Sequence, residues 1–221
     1  MSTTAMKPED LQAQLQALQK QVDELSYTKD YLEIWQVMSM YSHLYHVFKR
    51  ADIIDLFATQ TPGVYVEVED SGIYEGMEGV RRFFGGILGE KRHMVPGFLG
   101  IHMTCNPVLQ FNKARTRAKG VWHSHGSVTL NRMGQLTSFW CLGKYDMEYV
   151  KEAGQWKILK LVYRLTYMAQ YEKGWQQESQ GASITAAHVQ FPPDKPSTYH
   201  LPYSPYRVNV FLPPPPEPFD D

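Results

Sequence analysis

The stretch from Ile101 to Gly126, IHMTCNPVLQFNKARTRAKGVWHSHG, restricts the possible folds more than any other part of this chain. His102, Thr104 and Asn106 alternate with Ile101, Met103 and Cys105, the period-2 pattern of a strand with two unlike faces. After a turn at Asn112 and Lys113, His123 and His125 alternate with Trp122 and Ser124. Two more alternating runs follow, Leu136 to Lys151 and Trp156 to Tyr171, joined by a turn at Gly154 and Gln155. On the last run Leu159, Leu161, Tyr163, Leu165 and Tyr167 share one face, with Lys160, Val162 and Arg164 on the other. A core of long antiparallel strands follows, covering a cavity on its apolar face. Three imidazoles and the Asn106 amide on adjacent strands predict a polar floor in that cavity.

Upstream the periodicity changes. Glu9 to Ser26 is rich in Gln and charge, and Leu11, Leu15, Leu18, Val22 and Leu25 repeat at four-three spacing. Two readings stand: an amphipathic helix lying on its own domain, or a short coiled-coil seam between subunits. A second helix is expected from Lys29 to Lys49, with Ile34, Met38, Tyr41, Tyr45 and Phe48 as its buried face, and a shorter one from Asp52 to Ala58. Thr61-Pro62-Gly63 turns the chain into a strand, Val64 to Val68, with the valines on one face and Tyr65 and Glu67 on the other. A short helix at Gly79 to Gly85 packs Val80, Phe83 and Phe84 inward. The glycine-rich stretch from Gly85 to Gly100 reads either as a mobile lid or as a plain connection.

Ten of the fourteen prolines crowd between Pro192 and Pro218, interleaved with Tyr199, Tyr203, Tyr206, Phe211 and Phe219. Prolines favour extended geometry, and a merely solvated linker would be poorer in aromatics. The expectation is an ordered arm draped over this subunit or its neighbour.

Composition excludes several classes of partner. Charged residues make up 20 % and the net charge is -1, so no nucleic acid or membrane partner is expected. Aromatics reach 13 %, which suits a pocket for ring-shaped ligands. Cys105 and Cys141 lack CxxC spacing and read as free buried thiols. No leader-like apolar segment opens the chain, and no run approaches the ~18 apolar residues of a membrane span. A cytoplasmic protein is the expectation.

Several segments together carry a resemblance: Tyr41 to Ala58 (YSHLYHVFKRADIIDLFA), Tyr74 to Phe84 (YEGMEGVRRFF), His102 to Asn106, and Gly154 to Ile158 (GQWKI). Over residues 30–170 this order resembles the SnoaL-like and nuclear transport factor 2-like superfamily. The resemblance implies an α+β cone, a strongly curved antiparallel sheet wrapped around N-terminal helices. To it this chain adds an extra N-terminal helix (1–28) and a Pro-rich C-terminal arm (173–221), flanking a domain at 29–172. In pattern the chain is similar to the scytalone dehydratase and bile-acid 7α-dehydratase families, cofactor-free lyases, and to lyases that remove formaldehyde from lignin-derived diaryl compounds. By matching position, the resemblance assigns catalysis to Tyr41, Tyr45 and His102, with one of His123 or His125 as a second imidazole. Tyr65, Tyr145 and Tyr163 would line the cavity. His46 stands where those dehydratases carry an aspartate, so it is either an acid or base itself or the reaction differs. A homodimer or homotrimer is implied.

Three imidazoles would suit zinc, but no Asp or Glu sits at ligand spacing, so no metal is expected. No nucleotide loop or nucleophile elbow is present. General acid–base chemistry remains: His102 as base, Tyr41 and Tyr45 as donors to a departing oxygen, His46 and His125 as proton partners. Asn106, Tyr65, His123, Tyr145, Tyr163 and Tyr167 would hold the substrate, a bulky hydroxylated aromatic. Two alternatives compete: a non-catalytic binding or oligomerisation module, and the small subunit of a ring-hydroxylating oxygenase.

Overall fold

The computed structural model describes residues 7–89, 94–132, 134–177, 190–198 and 201–220. The middle of the expected lid, Tyr199, and most of the polar stretch after Gln176 lie outside the described residues.

One helix, α1 (Pro8–His46), replaces the two expected. Nothing between Glu9 and His46 breaks it, since that span holds neither Gly nor Pro. At the expected boundary, Ser26 and Thr28 turn their hydroxyls back onto the carbonyls of Val22 and Glu24 and stay in the helix. Pro8, Glu9 and Asp10 suit its first turn. It ends where Phe48 takes a left-handed φ of 63°. A 3-10 helix (Arg50–Leu56) follows, where a helix from Asp52 was expected.

Seven strands form one sheet: β1 (Tyr65–Val68), β2 (Ile73–Glu75), β3 (Leu99–His102), β4 (Cys105–Phe111), β5 (Arg117–Arg132), β6 (Gln135–Glu152) and β7 (Gln155–Gln170). Their order is β2-β1-β7-β6-β5-β3, with β4 also paired to β5. All pairs are antiparallel except β1 with β7. Ala153 and Gly154, at φ 48° and 79°, make the two-residue turn between β6 and β7. The short helix α2 (Gly76–Arg81) runs into a π-helical turn (Arg82–Ile87) that buries Phe83 and Phe84, as Val80 is buried before it. The curved, unclosed sheet and three helices are the expected cone.

The C-terminal half of α1 fills the concave side, where Ile34 and Met38 are fully buried. Asp30 clamps the middle of α1 to the sheet: its Oδ1 accepts from Lys151 Nζ at 2.5 Å and from Trp156 Nε1 at 2.9 Å. Asp30→Ala will leave the indole N–H unsatisfied and remove the ion pair. A loss of about 2–4 kcal/mol in urea unfolding is expected.

The arm docks on this same subunit. Residues 190–198 close the free edge of β2: Ile73 N–H donates to the Lys195 carbonyl at 2.8 Å, and Asp194 receives Arg82 and the Glu75 N–H. The chain then crosses the outer sheet face strand by strand. Thr198 binds buried Glu67 of β1, which also pairs with Arg164 of β7. Tyr203 N–H donates to Thr166, Lys144 of β6 donates to the carbonyls of Phe211 and Pro213, and Lys119 of β5 lies 4.5 Å from the Phe219 ring. Successive cations on neighbouring strands thus hold an arm whose prolines leave many carbonyls without a helical or sheet partner.

Candidate functional site

Inside the cone, residues from four segments meet. Tyr41 and Tyr145 bring their hydroxyls to 3.2 Å, and Tyr145 packs on Tyr163 at 4.8 Å between ring centres. Tyr45 stands edge-on to the His102 imidazole at 5.2 Å, and Tyr163 lies 6.2 Å from it. Tyr45 and His102 are half-buried, not sealed, within this cluster. Glycines permit the close approach. A Cβ on Gly143 would sit 2.5 Å from the Tyr163 hydroxyl, and one on Gly126, opposite His102, would meet the Ile101 carbonyl at 2.2 Å.

His102 is held by its backbone. Ser42 Oγ donates to its carbonyl at 2.7 Å, and its N–H donates to His46 Nε2 at 2.9 Å. His46 Nε2 also lies 3.0 Å from that carbonyl, so it accepts from the His102 N–H when unprotonated and can donate to the carbonyl when protonated. Burial, then the neighbouring His43, lower the pKa of His46, while its backbone contact raises it. His46, at the position where an aspartate was expected, therefore orients the strand that carries His102 and does not touch its ring.

Electrostatics keep the imidazole neutral. Burial first, then His46 and the Arg50 guanidinium, push the His102 pKa down to about 4. Arg50 is fully buried, stacks 4.3 Å over the Tyr45 ring and donates to the Leu88 carbonyl at 3.0 Å. Burial raises the phenols of Tyr41, Tyr45, Tyr145 and Tyr163, so all stay protonated at neutral pH. Glu69, in the turn after β1 at φ 53°, adds its negative field to Tyr45, Tyr163 and Cys141. The Cys141 thiol is pushed up to about 12, chiefly by burial, and is not a nucleophile at neutral pH. The buried Ser124 hydroxyl neighbours that of Tyr163, close enough to lower its phenol slightly. Neither finds an aligned hydrogen-bond partner among the described residues. Unsatisfied buried hydroxyls within an aromatic cluster are groups that a ligand's polar atoms could complete.

Of the expected residues, Tyr41, Tyr45, His102, Tyr145 and Tyr163 come together here, with His46 behind them. The others do not. Facing residues of an antiparallel pair share a side. His102 lies opposite Gly126, while His123 and His125 lie opposite Lys144 and Leu142, on the outer face. His125 packs on Trp140 there. The three imidazoles therefore form no common set. An irregularity in β7 at Thr166 turns Tyr167 outward as well, opposite Leu142. His123 and Tyr167 border a partly open cavity of about 430 Å³ between sheet and arm, lined also by Trp175, Tyr203 and Phe211. Tyr65 pairs with Lys160 on the outer face. Asn106 sits exposed in a bulge of β4, at φ 49°, where the expected alternation through Thr104 breaks. Sequence reasoning missed Arg50, Glu69 and Ser124. Only the position of Arg50, just after the tyrosine-bearing helix, hinted at its place.

Geometry of this kind, a helix-filled cone with its polar groups on the concave side, defines the nuclear transport factor 2-like class. The model of the SnoaL-like domain matches residues 26–162, and the chain belongs to that family. Among solved structures, a putative scytalone dehydratase from Novosphingobium aromaticivorans matches at 19 % identity, covering 65 % of this chain and 91 % of that one, with a TM-score of 0.51. A hexachlorocyclohexane dehydrochlorinase, LinA-type3 from Novosphingobium barchaimii, matches at 20 % identity, 66 % and 93 % coverage, and 0.54. At these identities the likeness is one of fold. No curated protein sequence matches the chain. No helix among the described residues is long and apolar enough to cross a membrane.

Proposed function

We propose that this protein is a cofactor-independent lyase that eliminates across a carbon–oxygen or carbon–carbon bond of a bulky hydroxylated aromatic molecule. The observation that carries the reading is the neutral His102 imidazole, edge-on to Tyr45 within a wall of phenols, with buried Arg50 beneath that tyrosine. In dehydration, His102 takes the proton from carbon and the C–H electrons form the new double bond. The C–O bond breaks, and the Tyr45 hydroxyl protonates the departing oxygen as water. Arg50 stabilises the phenolate left on Tyr45 until the imidazolium returns its proton. With a para-phenol in the substrate, His102 takes the phenolic proton, the ring electrons expel the benzylic hydroxyl, and Tyr45 protonates it as water, leaving a quinone methide as the electron acceptor. Once the imidazolium has returned its proton to Tyr45, and if the next carbon bears a hydroxymethyl group, His102 takes that hydroxyl's proton. The carbon–carbon bond breaks, formaldehyde leaves, its electron pair forms the new double bond, and the quinone methide becomes a phenolate that takes the proton back from His102. The names of the structurally similar dehydratase and dehydrochlorinase, both eliminating enzymes, favour this class.

Incubation with a phenolic diaryl propanediol tests it. Growth of a conjugated absorbance with one equivalent of formaldehyde supports carbon–carbon cleavage, and the absorbance alone supports dehydration. Tight binding with neither product would make the cone a carrier.

A further inference from the structure

Continuous through the expected break, α1 carries its four-three seam far from the body. Leu11, Leu15, Leu18, Val22, Leu25 and Leu32 are each more than half exposed. Among the described residues, the first hydrogen bond from the body to this helix comes from Arg115, in the turn between β4 and β5, to the Asp23 carbonyl. The overhang from Pro8 to Val22 is therefore about 22 Å of helix at 1.5 Å per residue. A helix of that length is marginal alone in water, and this one leaves its whole apolar stripe to solvent. We propose that the stripe pairs with the same stripe of a second copy of this chain, as an antiparallel two-helix coiled coil.

Two observations select a second copy as the occupant, and a third sets its direction. The residues flanking the seam are Gln12, Gln14, Gln19 and Gln21. Coiled coils choose unlike partners by charge at these flanking positions, and uncharged glutamines make the surface compatible with itself. The outer sheet face, the other broad surface of the cone, is crossed by the subunit's own arm. Finally, Lys29 occupies a seam position between Leu25 and Leu32. A parallel pair would set Lys29 against Lys29 in the interface. In an antiparallel pair, Leu18 faces Val22 of the second copy and Leu15 faces Leu25. In that register Lys29 faces Leu11 at the end of the seam, where its long side chain can reach Glu9 and Asp10 of the other chain. The helix that carries the seam also carries Tyr41, Tyr45 and His46, so the two cones would be joined through their site-bearing helices.

Sedimentation equilibrium of the full chain at micromolar concentration should give twice the chain mass. Leu15→Glu/Leu18→Glu should weaken association at least 100-fold with near-ultraviolet dichroism unchanged, because neither residue is buried in the subunit. Gln16→Glu, which adds charge off the seam, should leave association as it was. In an equimolar mixture of Leu15→Cys and Leu25→Cys chains, peptide mapping after mild oxidation should find bridges between positions 15 and 25. A monomeric wild type, or a dimer indifferent to Leu15→Glu/Leu18→Glu, would overturn the interface. Bridges from 15 to 15 and 25 to 25 would overturn its antiparallel sense.

Discussion

With glutamine in place of His102, turnover should fall by about 10²–10⁴-fold, the range for a lost general base, while substrate affinity stays within about threefold. Glutamine keeps polar reach and roughly the volume of the imidazole but cannot accept a proton. The backbone contacts from Ser42 and His46 persist, since they involve the main chain of His102 and not its ring. A structural role would instead show as lost stability with turnover per folded molecule unchanged. The pH profile gives an independent readout. Because burial, His46 and Arg50 hold the imidazole pKa near 4, the acid limb of kcat/KM should lie near pH 4 and not near the 6.5 of a free histidine. Folding is linked to the same group. A histidine whose folded pKa is depressed contributes its full stability above about pH 6.5 and loses it as pH falls toward 4. Urea titrations across that window should show the wild type weakening by up to about 3 kcal/mol, and the glutamine variant less. Identical slopes in the two proteins would refute a buried neutral imidazole.

Removal of residues 190–221 should have the largest effect on stability. It strips Thr198 from Glu67, Asp194 from Arg82 and the Glu75 N–H, and Lys195 from the edge of β2. Glu67 would keep Arg164 but lose its two contacts from Thr198, at about 1.5–3 kcal/mol for hydrogen bonds to a charged group. With the opened edge and uncovered apolar surface, the total should reach about 4–6 kcal/mol. At 2–4 °C per kcal/mol for a chain of this size, the melting temperature would fall by about 10–20 °C. Calorimetry checks this, and Thr198→Val alone should cost about 2 kcal/mol through the same carboxylate. An unshifted melting temperature in the truncated chain would mean the arm's contacts contribute nothing net.

Much of this architecture was legible in the sequence, and the illegible parts have physical causes. Long alternating runs gave β5, β6 and β7, because a strand with one buried face writes its period into the chain. The tyrosines of α1 and the arm's aromatics were readable for a similar reason: large apolar groups need cover. Register was not readable. Whether His123 shares a side with His102 depends on which residue faces it across the β3–β5 ladder, and a shift of one reverses the answer. Nor does alternation reveal where a strand irregularity will fall, so the spacing puts Tyr167 with Tyr163 although the irregularity at Thr166 separates them. Arg50 and Glu69 escaped because a lone charge beside a turn looks solvated until the fold closes around it. The single long α1 reads as two helices because the leucine seam and the tyrosine stripe are separate apolar patterns, yet no breaking residue stands between them.

The strap across the cone has a consequence for biosynthesis. The edge of β2 and the carboxylate of Glu67 are completed by residues 194–198, which leave the ribosome only after all seven strands of the sheet. Until then, a nascent chain with every strand in place still offers an open sheet margin to its neighbours on the polysome. Premature termination anywhere after β7 would release molecules that keep the whole set of inward-facing phenols and the imidazole but carry an adhesive flank.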